Sequence, residues 1–527
     1  MDTGIDIFVL MRIGLFVYIL TFVAAGMWMI TFVKGSGKRY IVCGKSLPFF
    51  FIATMFLAQA VDANSTMGSS TGAYTAGFWA GFVMPVGLAL CLVVTGLFFA
   101  KPLNNMNLLT LPDFYGRRYG HNVEWVVSLI MAGSFMILVA GNFAGSGWIV
   151  SYIFNLDYTW ALIIISTLIF IYTIFGGLFA SAATNVIQIY PAVIGFIAGA
   201  IWLLDMNGWD FYAAALPDTL GEPANFYNLT GLTRIDNGAL INFAGIVALA
   251  LGDVIALDFM ERVFSAKSGK VAEQGCFFAA ILTVLVGVAS CFIGLAAYAM
   301  FAEKGIVVED PRMIMPVMAL QVMPFGLGLL IISGIIGAGA STASGGLLGV
   351  STVFSRNVYQ KNIYRWWLKR QGITEIVRDN EEDRAKFDAR LLLISRVTAI
   401  PVVLAAIWIA HVKPEPGILL VVAFDVAFAG CLVPLALGLY WKKANAAGAM
   451  AAVIIGSAAR LWLYFYMPEE FADGSPNRWL GAETLIAPFI SLLVMWFVSL
   501  ATQASYPPKP EVIHEVPSEA DVLAGHA

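Results

Sequence analysis

Charge is scarce in this chain. Asp, Glu, Lys and Arg supply 12% of its 527 residues, about half the share found in a soluble domain. So few charges cannot furnish a water-facing shell for a protein of this length. Cysteine is equally sparse. Cys43, Cys91, Cys276, Cys291 and Cys431 show no CxxC spacing and mostly lie inside apolar segments. They read as small core residues, not as metal ligands or disulfide partners. The four histidines, His121, His411, His514 and His526, fall near predicted helix ends or in the C-terminal tail, which argues against a histidine metal site or proton relay at depth. HExxH, a P-loop and paired histidines are all missing, so no catalytic residue is expected and an integral membrane enzyme is disfavoured. The N-terminus carries Asp2 and Asp6 where a signal peptide would be basic. No cleavable leader is expected.

What the chain has in abundance is apolar residues, 60% of the total, and they come in long blocks. Each block approaches or exceeds the ~20 residues that cross a bilayer as a helix. Thirteen such segments are expected, at about 6–33, 48–69, 77–100, 123–153, 158–177, 180–204, 237–262, 273–302, 314–355, 388–411, 416–440, 444–466 and 483–503. The ninth is too long for one crossing and reads as a short outer helix followed by a full span after Pro324. The 50 glycines suit close helix packing in lipid.

Lys and Arg prefer cytoplasmic loops. With the N-terminus outside, inner loops receive 23 of the 30 basic residues, and an odd number of spans puts the C-terminus inside. Arg460 falls within segment twelve, where snorkelling toward the outer surface is the favoured reading. Residues 357–387 form a charged inner loop with an expected amphipathic surface helix. Residues 505–527 are Pro-rich and acidic and are expected to be a disordered cytoplasmic tail.

Carboxylates inside spans are costly and by default functional. Asp62, Asp253, Asp258 and Asp425 qualify. Asp62 lies in "ATMFLAQAVDANSTMGSSTG", a run that turns polar and small at bilayer depth. Such a run makes a poor continuous helix and suggests a broken one, whose freed carbonyls can hold a cation. The alternative is a kink with Asp62 bonded to a neighbouring span. Segment seven, "ALALGDVIALDFMER", is interrupted in the same way at Gly252 and Asp253. Asp258 lies nearer its inner end, where snorkelling is an equal alternative. Two broken helices five spans apart point to an inverted repeat with its site at the midplane. Segment nine carries Ser341 and Thr342 in a Gly/Ala-rich stretch. Their hydroxyls suit a hard cation such as Na+, or simply back-bonding to the preceding turn.

Six motifs in order resemble those of the sodium:solute symporter family. They are "GKSLP", "LPDFYGRRYG", "YTIFGGLFASAATNVIQ", "MERVFSAKSGKVA", "GASTASGGLLGVSTVFSRNVY" and "LYWKKANAAGA". The resemblance covers about residues 40–450. It implies an all-α polytopic membrane protein with a LeuT-like 5+5 inverted repeat. One extra helix precedes the repeat (1–47 with its inner loop) and two follow it (441–504). The repeats would occupy 48–204 and 237–440, separated by an outer loop 205–236. Carried onto matching positions, the sodium ligands would be the carbonyls of Ala58, Val61 and Ala338 and the hydroxyls of Ser341 and Thr342. Solute positions would be Asp62, Ser65, Ala256, Asp258 and Asp425. Two departures stand out: Asn185 replaces the family's Asp near the sodium site, and Glu261 stands where Gln is usual. Either Asp62, Asp253 or Asp425 compensates for the first, or coupling is weak or to protons.

The expected function is sodium-coupled import of a small polar solute by alternating access. Candidate solutes are an amino acid, a quaternary amine, urea or a monocarboxylate. Partners would be the solute, sodium ion and the bilayer, with no nucleic acid and no organic cofactor. A proton-coupled transporter or a solute sensor of the same fold is the alternative. Only about 24 residues follow the last span, few for an output domain.

Overall fold

The computed structural model describes residues 7–216, 229–370, 381–467, 477 and 479–509. The tail expected to be disordered beyond 509, residues 371–380 of the charged loop, and His514 and His526 lie outside these. Among the described residues the chain is helical, with one isolated bridge between Leu47 and Ala266. The elements that position the site are α1 (Ile7–Trp28), α2 (Phe49–Ala60), α3 (Ala63–Ala76), α4 (Phe78–Val94), α5 (Pro112–Tyr119), α6 (His121–Phe154) and α7 (Tyr158–Ala214). They continue with α8 (Ala239–Gly252), α9 (Leu257–Ser265), α10 (Gly269–Lys304), α11 (Phe325–Val353), α12 (Glu381–Val412), α13 (Pro416–Tyr440), α14 (Ala446–Tyr466) and α15 (Ala482–Ala501).

Ten helical stretches among the described residues are long and apolar enough to cross a membrane. The pair formed by Ala239–Ile255 and Leu257–Ser265, bent by 48°, makes an eleventh. α7 is one element of 57 residues but not one straight rod. At Gly177 the backbone turns to φ 57, ψ −145, a conformation open to glycine and costly for other residues. A Cβ there would also lie 2.4 Å from the Tyr40 ring. The break falls between the expected segments five and six. Segment nine divides as expected: short turns cover 314–322, and α11 starts after Pro324.

Helix limits depart from the hydropathy limits in two places. α7 runs to Ala214, with a second break at Gly208, and α12 begins at Glu381, inside the charged stretch. Hydropathy reports depth in the bilayer, whereas Glu, Arg, Lys and Ala are good helix formers at any depth. The helix after α11 likewise continues through Phe354–Tyr364 and Arg365–Arg370.

α11 is the hub of the bundle, buried at every position from Ile331 to Val353. Its small residues let backbones touch. A Cβ on Gly334 would sit 2.4 Å from Ala192 Cα, and one on Gly339 would sit 2.5 Å from Ser146 Oγ. All five cysteines are buried free thiols, as expected of small core residues.

Candidate functional site

The helix formed by α2 and α3 breaks at Val61 (φ −99, ψ 78) and Asp62 (φ −103, ψ 176). Asp62 then caps α3. Its Oδ1 accepts from Ser65 N at 2.6 Å, and Ser65 Oγ accepts in return from Asp62 N at 3.2 Å. This is a reciprocal capping box. Asp62 Oδ2 accepts from Asn64 Nδ2 at 2.9 Å and from Asn142 Nδ2 of α6 at 2.8 Å. The carboxylate is therefore engaged within the break and tied to a neighbouring helix.

The break has a consequence for Ala58. In a continuous helix Asp62 N–H would donate to the Ala58 carbonyl; here it goes to Ser65 Oγ. Two hydroxyls of α11 take up the freed carbonyl. Ser341 Oγ donates to Ala58 O at 2.8 Å and Thr342 Oγ1 at 3.2 Å. Ser341 Oγ also lies 2.7 Å from Ala338 O. Four of the five expected sodium ligands thus converge across a separation of 283 residues. The fifth, Val61, stands at the break itself. Tyr172 of α7 donates to Ala340 O at 2.9 Å and so braces this turn of α11. Asn185 is fully buried, with neither amide atom hydrogen-bonded to protein.

The second break matches the first. α8 ends at Gly252, one 3-10 turn covers Asp253–Ile255, Ala256 is extended, and α9 begins at Leu257. Asp253 and Asp258 are buried. Asp253 has no hydrogen-bond partner on either carboxylate oxygen, and Asp258 Oδ1 accepts from Phe259 N at 2.9 Å. Arg262, fully buried, donates to Asp258 O at 2.6 Å and to Met55 O of α2 at 3.0 Å, stitching the two broken helices together.

A cavity of about 810 Å³ opens beside α3, α4, α8 and α13 at the expected outer end. Its lining includes Asp310, Arg312 and Glu415 as well as Asp425, Arg460 and Thr484. Here one expectation is overturned. Arg460 does not snorkel: it is 7% exposed, and its Nε donates to Asp425 Oδ2 at 2.7 Å. A carboxylate on the adjacent helix offers this guanidinium a partner at depth, which removes the reason to reach for water. Of the expected solute residues, Asp425 lines this cavity and Ser65 a much smaller void between α3, α4 and α10.

Sequence reasoning missed Asn142, a lone amide inside apolar α6. It also missed a buried charge cluster at the expected inner end. There Asp113 of α5 accepts from Arg356 Nε and Lys361 Nζ, both at 2.8 Å, and Lys361 reaches Glu124 of α6 at 2.7 Å. α5 also clasps α13: Tyr115 and Tyr119 donate to the Cys431 and Pro434 carbonyls, both at 2.7 Å.

Comparisons with known proteins identify the family and the fold. The family model described as "Sodium:solute symporter family" matches residues 40–456. The chain is 25% identical over 482 residues to the sodium/proline symporter 2 of Staphylococcus saprophyticus, spanning 89% of this chain and 88% of that one. It is 23% identical to the human high affinity choline transporter 1, over 96% and 88% of the two chains. In fold it resembles a substrate-bound, outward-open Na+-coupled sialic acid symporter, with TM-score 0.71, 17% identity, and coverage of 95% of this chain and 99% of that one. It also resembles the closed form of Mhp1, a nucleobase-cation-symport-1 family transporter, with TM-score 0.51, 14% identity, and coverage of 93% and 98%.

Proposed function

This chain belongs to the sodium:solute symporter family and performs sodium-coupled symport of a small solute, and we propose that its sodium ion sits where α11 crosses the break between α2 and α3. The ligands would be the carbonyls of Ala58, Val61 and Ala338 with the hydroxyls of Ser341 and Thr342. The observation that carries this reading is the convergence of two adjacent hydroxyls on a carbonyl that a helix break has freed. Oxygen donors of this kind suit a hard cation. A sodium ion there would replace hydroxyl-to-carbonyl bonds with ion-to-oxygen bonds and pull α11 against the break.

Coupling follows from differential affinity. An ion shifts a conformational equilibrium only by the difference in its affinity for the two states. Sodium clamping α11 to the break would favour the conformation whose outer cavity admits solute. Rocking of the repeats would separate α11 from the break, weaken the site and release both cargoes inside. The inward potential adds ~2.3 kcal/mol per charge per 100 mV.

The proposed topology has thirteen crossings with the N-terminus outside. Counting α7 as two crossings and each of the two broken pairs as one brings the ten long stretches to thirteen. Two breaks of one design, α2/α3 and α8/α9, support the 5+5 inverted repeat. The solute would enter through the cavity that Asp425 lines. Ser65, Ala256 and Asp258, at or beside the breaks, would face it once it moves deeper.

The test is sodium titration of solute uptake into proteoliposomes. Thr342→Ala and Ser341→Ala each remove one ligand and should raise the half-saturating sodium concentration about tenfold or more, the scale of ~1.4 kcal/mol. Unchanged sodium dependence in both variants would remove the ion from this place.

A further inference from the structure

The ion pair in the cavity lining points to the class of solute, given the symport reading above. Asp425 on α13 and Arg460 on α14 are 4% and 7% exposed, and both line the cavity. Their contact is lopsided. Arg460 Nε and Nη2 both donate to Asp425 Oδ2, and Thr484 Oγ1 of α15 adds a third donor to the same oxygen at 3.2 Å. Asp425 Oδ1 has no hydrogen-bond partner. A two-oxygen fork is the usual Arg–carboxylate geometry; here one oxygen is crowded and the other is left wanting a donor.

The remaining charges narrow the choice. Asp310 pairs with Arg312 at 2.8 Å, and Glu483 Oε2 accepts from Gly481 N at 2.9 Å. A plain anion entering would pass Asp310, Glu415, Glu483 and Asp425, four carboxylates against two guanidiniums and the Lys413 ammonium paired with Glu415. A plain cation would find Asp425 already neutralised by Arg460. A solute carrying both charges meets a partner for each. The apolar walls of the cavity are aliphatic, including Met67, Val83, Met84, Ile241, Val421 and Val422. Recognition of a quaternary ammonium favours aromatic faces, whereas these walls suit an aliphatic body.

We propose that Asp425 and Arg460 form the head-group site for an aliphatic zwitterion that carries at least one ammonium N–H. The N–H donates to Asp425 Oδ1, and the solute carboxylate accepts from the Arg460 guanidinium. Thr484 holds the occupied oxygen in place. The two C-terminal helices, which lie outside the repeats, thereby contribute to solute recognition.

The full chain in lipid nanodiscs is titrated with alanine, valine and leucine in sodium buffer, following thermal stabilisation. It is titrated in parallel with ethylamine (alanine without its carboxylate), propionate (alanine without its amine) and N,N,N-trimethylalanine. At least one amino acid is expected to stabilise the protein, and the matched compounds that lack one charge or every N–H are expected to bind at least about tenfold more weakly. Arg460→Lys keeps the charge but loses the fork, and should weaken zwitterion binding while leaving sodium-induced stabilisation in the absence of solute unchanged. Asp425→Asn strands a buried guanidinium and can misfold, so the neutral pair Asp425→Asn with Arg460→Gln serves as the second variant. No binding of any aliphatic zwitterion, equal binding of the trimethyl derivative, or wild-type affinity in the double variant would overturn the proposal. Sodium-driven uptake of a solute of another class would refute this assignment and leave symport intact. Zwitterion binding and uptake indifferent to sodium would instead refute the sodium site.

Discussion

Asp113→Asn removes one of two carboxylates that face two buried cations. Asp113, Glu124, Arg356 and Lys361 are all at least nine-tenths buried, and their formal charges cancel. Asp113 accepts from Arg356, Lys361 and Asn357 at 2.8–3.0 Å. With asparagine in its place these four residues carry a net positive charge, and Arg356 and Lys361 each lose a carboxylate contact. Breaking a buried pair by removing one member costs about 3–5 kcal/mol, far above the ~0–1 kcal/mol of an exposed bridge. The cluster joins α5 and α6 to the helix that follows α11, Phe354–Tyr364, and α5 in turn clasps α13. The loss should therefore appear both as a lower unfolding temperature in detergent and as easier cysteine labelling at the expected inner end. Asp113→Asn combined with Arg356→Met removes both members of one pair, keeps Lys361 on Glu124 and should recover most of the loss. A single variant as stable as the parent, or a double variant no better than the single, would refute the reasoning.

The same cluster makes a prediction about pH. Burial alone would push the Asp113 carboxyl up, but the neighbouring Arg356 and Lys361 charges outweigh it and hold the group well below the usual carboxylate range. A depressed folded value means its contribution is fully present above the unfolded value of about 4 and is lost only as pH falls through the folded one. Unfolding temperature should therefore show no Asp113-dependent change from pH 5 to pH 8; a difference between parent and Asp113→Asn that shrinks across that window would contradict the pairing. Asn142→Ala takes a donor from Asp62 and should raise the half-saturating sodium concentration by loosening the break, with flux measurements on proteoliposomes as the check. Gly177→Ala meets both a positive φ and the Tyr40 ring at 2.4 Å, so folded yield on size exclusion should fall sharply. Tyr172→Phe removes the donor to Ala340 O and should cost about 1 kcal/mol, seen as a modest drop in thermal stability and a small rise in sodium requirement.

The two helix breaks were legible because small and polar residues at bilayer depth cannot be explained by solvation: "VDANSTMGSS" and "LGDVIALD" announce themselves against apolar flanks. Ser341 and Thr342 were legible for the same reason. The Asp113 cluster was not. Arg356 and Lys361 look like ordinary inner-loop positive charge, and their carboxylate partners lie 243 and 248 residues away, a distance no local pattern spans. Arg460 was misread because snorkelling and pairing both begin from a charge near a helix end. What decided between them was the facing of α13 and α14, and that register is a tertiary fact. Asp62 was read as a solute residue or as a carboxylate hydrogen-bonded to a neighbouring span at a kink; that the neighbour is Asn142 depends on α6 packing alongside.

The most direct measurement is solute-evoked charge movement across proteoliposomes carrying the full chain, recorded with a sodium gradient, with a proton gradient alone, and with neither. The account predicts inward current only when sodium and an accepted solute are present together, and a loss of that current at low sodium in Thr342→Ala. Current that persists without sodium and follows the proton gradient would contradict it.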